Sequence, residues 1–147
     1  MRPRLTLLVM SREGIETQAI TEEFSLVSIS DDTDFPTPPS KPLNWLKLTF
    51  HDVEVARLSR CKFNGTKIKP FSLDQADLVA DFISLLCCRD NPAHRIVFQC
   101  EMGVSRSAAM AAATARHCGM NDLIYFEKHM PNRLVYRLVL EALRLHS

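Results

Sequence analysis

The stretch from Val97 to Ala113 contains the residue types that could carry out covalent chemistry. It reads VFQCEMGVSRSAAMAAA, with a cysteine at position 100, a glycine at 103 and an arginine at 106. This pattern predicts a buried strand, a short loop and then a helix that begins near Ser105. Backbone N–H groups in such a loop point inward at the helix N-terminus, where the helix dipole is positive. The loop is therefore a candidate binding site for an anion.

Cys100 is the candidate nucleophile. The amides that attract an anion also favour the thiolate over the thiol, and the thiolate is the reactive form. Gly103 can supply the positive φ of a tight curl, and the planar guanidinium of Arg106 can grip two oxygens of a tetrahedral anion. Together these groups predict phosphoryl transfer through a phosphocysteine. The alternative is a structural one, with Cys100 a small buried hydrophobic residue and Arg106 a solvated helix residue.

This segment resembles the signature loop of the cysteine-dependent protein tyrosine and dual-specificity phosphatases, HCxxGxxR[ST]. The resemblance implies that Cys100 is the nucleophile, that Arg106 clamps the substrate and the transition state, and that Ser107 hydrogen-bonds the sulfur and eases its departure. It also implies a phosphate cradle made by the backbone amides of Glu101, Met102, Gly103, Val104, Ser105 and Arg106. The ending PNRLVY (131–136) looks like that of compact phosphatases of bacteria and phages.

A general acid is also needed, because an alkoxide or phenolate leaves poorly unless it is protonated. Members of the family that this chain resembles use an aspartate from an upstream loop. Asp52 is the candidate, since it follows the predicted strand WLKLTF and parallel sheets place their sites at the carboxyl ends of strands. Asp74 is the rival, although the helix dipole alone favours an acid in the first turn of a helix. A site without an aspartate is the remaining alternative.

Gln99 departs from the signature, in which a histidine usually precedes the cysteine. Glutamine can donate a hydrogen bond but brings no positive charge, so we expect Cys100 to be less ionised and the enzyme slower, with activity rising towards higher pH. Because of this substitution, a pseudophosphatase is the alternative function. Such a protein binds phosphorylated partners through the same loop without hydrolysing them. Sulfur transfer and arsenate reduction are disfavoured by the loop length and by the late position of the motif.

The elements that must position this loop alternate between strands and helices. Strands are predicted at Arg4–Met10, Phe24–Ser30, Trp45–Phe50 and Arg95–Gln99. Helices are predicted at Arg12–Ile20, from Ser72 to the break at Asn91 and Pro92, at about Ser105–Cys118, from Asn121 to Lys128, and from Pro131 onwards. Long loops are expected at 31–42 and 51–70. The alternation predicts one α/β domain (1–147) with a central, mostly parallel sheet of four to five strands flanked by helices, as in dual-specificity phosphatases.

Composition narrows the class of protein. The chain has 147 residues, of which 46% are hydrophobic and 24% charged, as in one soluble globular domain. Because the formal net charge is only +1, neither nucleic-acid nor membrane binding is expected. The expected substrate is a phosphorylated protein or a small phosphomonoester, and the oligomeric state is left open. Neither a cofactor nor a metal is expected, since Arg106 and the loop supply positive charge and the histidines show no ligand spacing.

Five cysteines without a CxxC pair favour a reducing compartment, and we expect a cytoplasmic protein. Cys87 and Cys88 end a predicted helix near the strand that leads to Cys100. A protective disulfide with Cys100 is one interpretation. The favoured interpretation is that Cys87 and Cys88 are two ordinary buried thiols.

Overall fold

The computed structural model of the protein describes residues 5–54, 62–63, 66–87 and 94–146. The strands are β1 (Leu5–Met10), β2 (Ser25–Ser30), β3 (Asn44–Thr49), β4 (Lys62–Phe63), β5 (Thr66–Lys67) and β6 (His94–Gln99). The helices are α1 (Arg12–Thr17), α2 (Leu73–Leu86), α3 (Arg106–His117), α4 (Leu123–Lys128) and α5 (Arg133–Leu145). No helix within these described ranges has the length and apolar character needed to cross a membrane.

Four strands form the central sheet in the order β1-β6-β2-β3, and all of their pairings are parallel. The predicted fold class is therefore confirmed, with four strands and helices on both faces. The inner strand β2 (SLVSIS) is made of apolar or small residues, and β6 (HRIVFQ) is apolar at Ile96, Val97 and Phe98, because these parts of the two strands are buried on both faces. Since parallel strands end at one edge, the residues that follow β6, β2 and β3 are brought together there. These residues include Cys100, Asp31 and Asp52.

The helices divide the core into two parts. The larger part lies between the sheet and α2, α3 and α5, and the smaller part lies on the opposite face, where Ile15 of α1 meets Phe24, Leu26 and Val97. The alanines of α3 (Ala108, Ala109, Ala111, Ala112, Ala113 and Ala115) are fully buried. Their small side chains let α3 approach both the sheet and α5 closely.

Several predicted boundaries differ from the structure. The first helix ends at Thr17 rather than Ile20, because Gln18 is already extended (φ −95°, ψ 119°). The last helix begins after Asn132, whose side chain accepts a hydrogen bond from the Val135 amide at 3.0 Å. Pro131 therefore precedes the N-cap and is not in the first turn. The predicted helix break at Asn91 and Pro92 lies outside the described residues.

Helix α2 and the segment before it anchor the β3 edge of the sheet. Ser72 and Gln75 form the predicted capping box, in which the Ser72 hydroxyl accepts from the Gln75 amide at 3.1 Å. The Gln75 side chain also donates to the Thr49 carbonyl at 2.9 Å. His51 exchanges hydrogen bonds with the Lys69 backbone at 2.7 and 2.9 Å. These contacts fix the chain directly before Asp52, at the start of a segment that we predicted to be a loop and that includes the short β4–β5 pair.

Candidate active site

The 100–106 loop connects β6 to α3 and is held against the end of β1. The Cys100 amide donates to the Met10 carbonyl at 3.3 Å, and the Arg12 amide donates to the Glu101 carbonyl at 3.0 Å. The backbone bends through residues 101–105 before α3 begins. Gly103 has a φ of +68°, the left-handed conformation that its place in the sequence predicts.

Gly103 also lies where no side chain fits. A Cβ atom at this position would lie 2.7 Å from the Ser11 nitrogen and 2.8 Å from the Met10 carbonyl carbon. These are backbone atoms, so the clash can be relieved only by moving β1 or the loop. The close approach is therefore what keeps the loop curled against the sheet.

We expect Gly103→Ala to lower the free energy of unfolding by about 2–4 kcal/mol, because a clash adds to the cost of a positive φ. Urea unfolding measures this loss. Gly119→Ala is the matched control, since Gly119 has a φ of +75° but a Cβ atom added to it would meet nothing within 4 Å. The free energy of unfolding of the control is expected to fall by only about 1–2 kcal/mol. Equal losses in the two chains would contradict the tight approach at residue 103.

The backbone amides of the loop are free to bind a ligand. Among the described residues, no acceptor engages the N–H groups of 101–106. Unpaired amides at the start of a 12-residue helix are the elements of an anion site. The resemblance implies a phosphate cradle at these amides, those of Glu101 to Arg106.

Cys100 and Ser107 meet at the base of the loop. The sulfur of Cys100 lies 3.0 Å from the Ser107 hydroxyl oxygen, and Cys100 is 2% exposed. Cys100 nevertheless lines the cleft. A ligand in the cleft can therefore reach the thiol, while the hydroxyl can donate to a thiolate from the opposite side.

Arg106 is held at one nitrogen. Its Nη1 donates to Asp31 Oδ1 at 2.6 Å and to the Phe50 carbonyl at 2.8 Å, and the residue is 5% exposed. Its Nε and Nη2 have no acceptor among the described residues. These two nitrogens form the edge that binds two oxygens of a carboxylate or phosphate side by side. Asp31 and the Phe50 carbonyl thus leave that edge unoccupied.

Asp52 lies against the end of the loop and is fixed by two donors. Its Oδ1 accepts from the Ser105 hydroxyl at 2.8 Å and from the Asn132 side-chain amide at 2.7 Å. The side-chain amide of Asn132 also donates to the Val53 carbonyl at 3.0 Å. The backbone N–H of Asn132 donates to the Ser105 carbonyl at 3.1 Å. Asp74 lies in the first turn of α2 and does not line the cleft. The geometry brings Asp52, and not Asp74, to the loop.

The cleft has a volume of about 730 Å³. Its polar lining includes Cys100, Ser105, Arg106, Asp52, Glu54, His129 and Arg133, and its apolar lining Met102, Val104, Phe126, Met130 and Pro131. Asp31, Asn132 and the apolar wall were not predicted from the sequence. For Asn132 a signal existed, because an asparagine before an apolar helical pattern is typical of an N-cap.

Gln99 is buried beneath the loop. It is 1% exposed, and its Nε2 donates to the Cys100 carbonyl at 3.0 Å. Its Oε1 is also buried and has no hydrogen-bond partner among the described residues. The glutamine therefore supports the loop through a backbone carbonyl and leaves one acceptor unused.

The other cysteines are not arranged as expected. Cys87 is exposed, so the prediction of a buried thiol is wrong for it, and the thiols of Cys87 and Cys100 are both free. Cys61 and Cys88 lie outside the described residues. Within the described part of the chain no three His, Cys, Asp or Glu side chains form a group that could hold a metal ion. The expectation of a metal-free site stays a prediction.

The sheet order, the strand–loop–helix unit and the cleft define the fold of the dual-specificity phosphatases. Human DUSP28 superposes with a TM-score of 0.60 at 19% identity, over 96% of this chain and 95% of that one. Human tyrosine phosphatase-like serine/threonine/tyrosine-interacting protein gives 0.60 at 15% identity, over 95% and 92%. PTPMT1, solved in complex with PI(5)P, gives 0.51 at 11% identity, over 95% and 91%. No family model and no curated protein sequence matches the chain.

Proposed function

We propose that the protein is a cysteine-dependent phosphatase that hydrolyses phosphomonoesters of proteins or small molecules through a phosphocysteine. The observation that carries the proposal is the meeting of three groups in one cleft. These are the sulfur of Cys100, the unpaired amides of 101–106 and the free edge of Arg106. Their combination suits a tetrahedral dianion above a nucleophile. The shared fold of dual-specificity phosphatases supports the same class of reaction.

In the proposed first step, the Cys100 thiolate attacks phosphorus in line with the departing oxygen. The loop amides and the Nε–Nη2 edge of Arg106 bind the equatorial oxygens, whose charge they stabilise. Asp52 donates its proton to the ester oxygen, so the substrate leaves as an alcohol or phenol. The products of this step are the dephosphorylated molecule and a phosphocysteine.

In the proposed second step, water hydrolyses the phosphocysteine. Asp52, now a carboxylate, accepts a proton from the water as it attacks phosphorus. The Ser107 hydroxyl, 3.0 Å from the sulfur, donates a hydrogen bond to the departing thiolate. Inorganic phosphate is released and the original protonation of both groups is restored.

The proposal is tested by turnover of p-nitrophenyl phosphate. Rapid mixing of excess substrate with the full chain is expected to release a burst of p-nitrophenol equal to the enzyme concentration if hydrolysis of the phosphocysteine is the slower step. Acid quenching is expected to trap phosphate on Cys100, which peptide mapping locates. No turnover, no burst and no labelled Cys100 would contradict the proposal.

Asp31 is proposed to keep the free edge of Arg106 directed into the cleft. We expect Asp31→Ala to lower kcat/KM for p-nitrophenyl phosphate about 5–50-fold, because the guanidinium loses one of its two anchors. Asp31→Asn keeps a hydrogen-bond acceptor, so its kcat/KM is expected to fall less than that of Asp31→Ala. Steady-state kinetics at constant ionic strength measure both.

Asp34→Asn is the matched control for Asp31, since Asp34 belongs to the same loop but contacts Arg12 rather than Arg106. This variant also removes one negative charge but leaves the contacts of Arg106 intact. We therefore expect kcat/KM for p-nitrophenyl phosphate to change less than about threefold. A similar loss in the Asp34 and Asp31 variants would show that loop charge, and not the contact with Arg106, controls activity.

A binding module without turnover is the second candidate function. It is favoured by Gln99, which supports the loop but brings no positive charge to the cysteine. In this case inorganic phosphate would stabilise the protein against unfolding although no substrate is hydrolysed. The absence of the burst, together with phosphate-dependent stabilisation, would favour it.

A further inference from the structure

Four apolar side chains line the same cleft as the candidate anion site. Met102 and Val104 belong to the 100–106 loop, whereas Phe126 and Met130 come from α4 and the residues that follow it. Phe126 is 42% exposed, Met102 74% and Met130 78%. We call these four residues the apolar wall. Since exposed apolar surface beside a cleft is stabilised when a ligand covers it, the wall is a candidate contact for the part of a ligand that carries no charge.

The apolar wall is tied to the loop that would hold the phosphate. The Met130 amide donates to the Val104 carbonyl at 3.0 Å, and the Asn132 amide donates to the Ser105 carbonyl at 3.1 Å. These two backbone contacts attach the chain that follows α4 to the loop. A ligand whose phosphate occupies the amides of 101–106 therefore has its next group inside the cleft that the wall lines.

Phe126 gives the wall an aromatic surface with a fixed orientation. Its ring packs against the ring of Tyr136 edge to face, with the centroids 5.3 Å apart and the planes at 85°. The Tyr136 hydroxyl in turn donates to Asp122 Oδ2, at the start of α4, at 2.9 Å. None of the six residues of α4 is buried, so the helix is held by α5 without burying Phe126. The ring thus lines the cleft in a defined position and remains open to a ligand.

We propose that Phe126 and Met130 are specificity-determining residues, which select phosphomonoesters whose phosphate is attached to an aromatic ring. The inference rests on the proposed function, from which it takes the position of the phosphate on the loop. An aromatic ring gains more on this wall than an alkyl group of equal area, because aromatic and sulfur–aromatic contacts add to the burial of apolar surface. A phosphoserine side chain has only one methylene group beyond the ester oxygen, so it has no group that covers the wall.

The first test measures binding of phosphonates, which are not hydrolysed. Isothermal titration calorimetry of the full chain gives the Kd of phenylphosphonate and of methylphosphonate. Phenylphosphonate is expected to bind the parent chain about 5–20-fold more tightly, because only its ring contacts the wall. Phe126→Ala should remove most of this preference and change the Kd of methylphosphonate less than about twofold.

Three further variants make the test specific to the wall. Met130→Ala should lower the preference for phenylphosphonate about 2–5-fold, and it keeps the backbone contact with Val104. Phe126→Leu retains apolar surface but not the ring, so its preference should lie between those of the parent chain and Phe126→Ala. Leu123→Ala is the matched control, since Leu123 is an exposed apolar residue of the same helix that does not line the cleft. It should keep the preference of the parent chain.

The second test measures turnover of two peptides that carry phosphotyrosine or phosphoserine at the same position. Phe126→Ala should raise KM for the phosphotyrosine peptide about 5–20-fold with kcat nearly unchanged, because the wall contacts the ring equally in the bound substrate and in the transition state. KM for the phosphoserine peptide should change less than about twofold. Each variant is compared with the parent chain on the same peptide, so the different reactivities of the two esters cancel.

Three results would overturn the inference. The first is a parent chain that binds the two phosphonates equally or binds neither. The second is a preference that survives both Phe126→Ala and Met130→Ala in protein whose circular dichroism is native. The third is hexylphosphonate binding more tightly than phenylphosphonate, which would assign the wall to an alkyl chain. A chain that hydrolyses no phosphomonoester, but whose preference for phenylphosphonate is lost in Phe126→Ala, would refute the proposed function and leave the role of the wall intact.

Discussion

We expect Cys100→Ser to hydrolyse p-nitrophenyl phosphate more than about 10⁴-fold more slowly than the parent chain. The variant should still bind oxyanions. A serine hydroxyl is far less acidic than a thiol, so the loop that favours a thiolate does not ionise it, and the nucleophile is lost. The unpaired amides of 101–106 and the free edge of Arg106 do not involve the sulfur, so the anion site should persist. Turnover is measured by release of p-nitrophenol, and anion binding by the rise in Tm with inorganic phosphate.

Cys118→Ser is the matched control, since it makes the same chemical change at an exposed cysteine outside the cleft. It should keep the activity of the parent chain under reducing conditions. If Cys100→Ser still hydrolyses the substrate at the parent rate, the nucleophile is not Cys100. If its turnover and its response to phosphate both disappear while the fold is native, Cys100 is needed to shape the site as well as to react in it.

The parts of this fold that could be predicted from sequence are those with local signals. Alternating strand and helix patterns predicted the parallel sheet, and the capping spacing of Ser72 and Gln75 predicted the start of α2. Gly103 could be predicted because its conformation and its place in the loop are linked over a few residues. Such signals act between near neighbours in the chain, so one sequence is enough to detect them.

The contacts that hold the site could not be predicted in this way. Arg106 and Asp31 are 75 residues apart, and Asn132 and Asp52 are 80 apart. Whether two such side chains meet depends on strand order and on the angle at which each loop leaves the sheet. The composition of the sequence carries no signal for the strand order or for the angle of the loops.

We expect Asp52→Asn to lower kcat/KM, which reports the first step, about 10²–10⁴-fold on a phosphotyrosine peptide and much less on p-nitrophenyl phosphate. The tyrosine phenolate needs a proton to leave, whereas p-nitrophenolate is stable without one. Asparagine retains an Oδ1 that can accept from Ser105 and Asn132, so the position of the side chain should be preserved and only the proton lost. Steady-state kinetics with the two substrates measure this difference.

Asp74→Asn is the matched control because it removes a carboxylate that does not line the cleft. It should leave the ratio of the two rates unchanged, although the loss of an acid from the first turn of α2 lowers stability slightly. Equal losses on both substrates in Asp52→Asn would assign Asp52 to holding Ser105 and Asn132 in place instead of to proton transfer. A selective loss in Asp74→Asn would move the general acid to α2, which the geometry of the cleft does not favour.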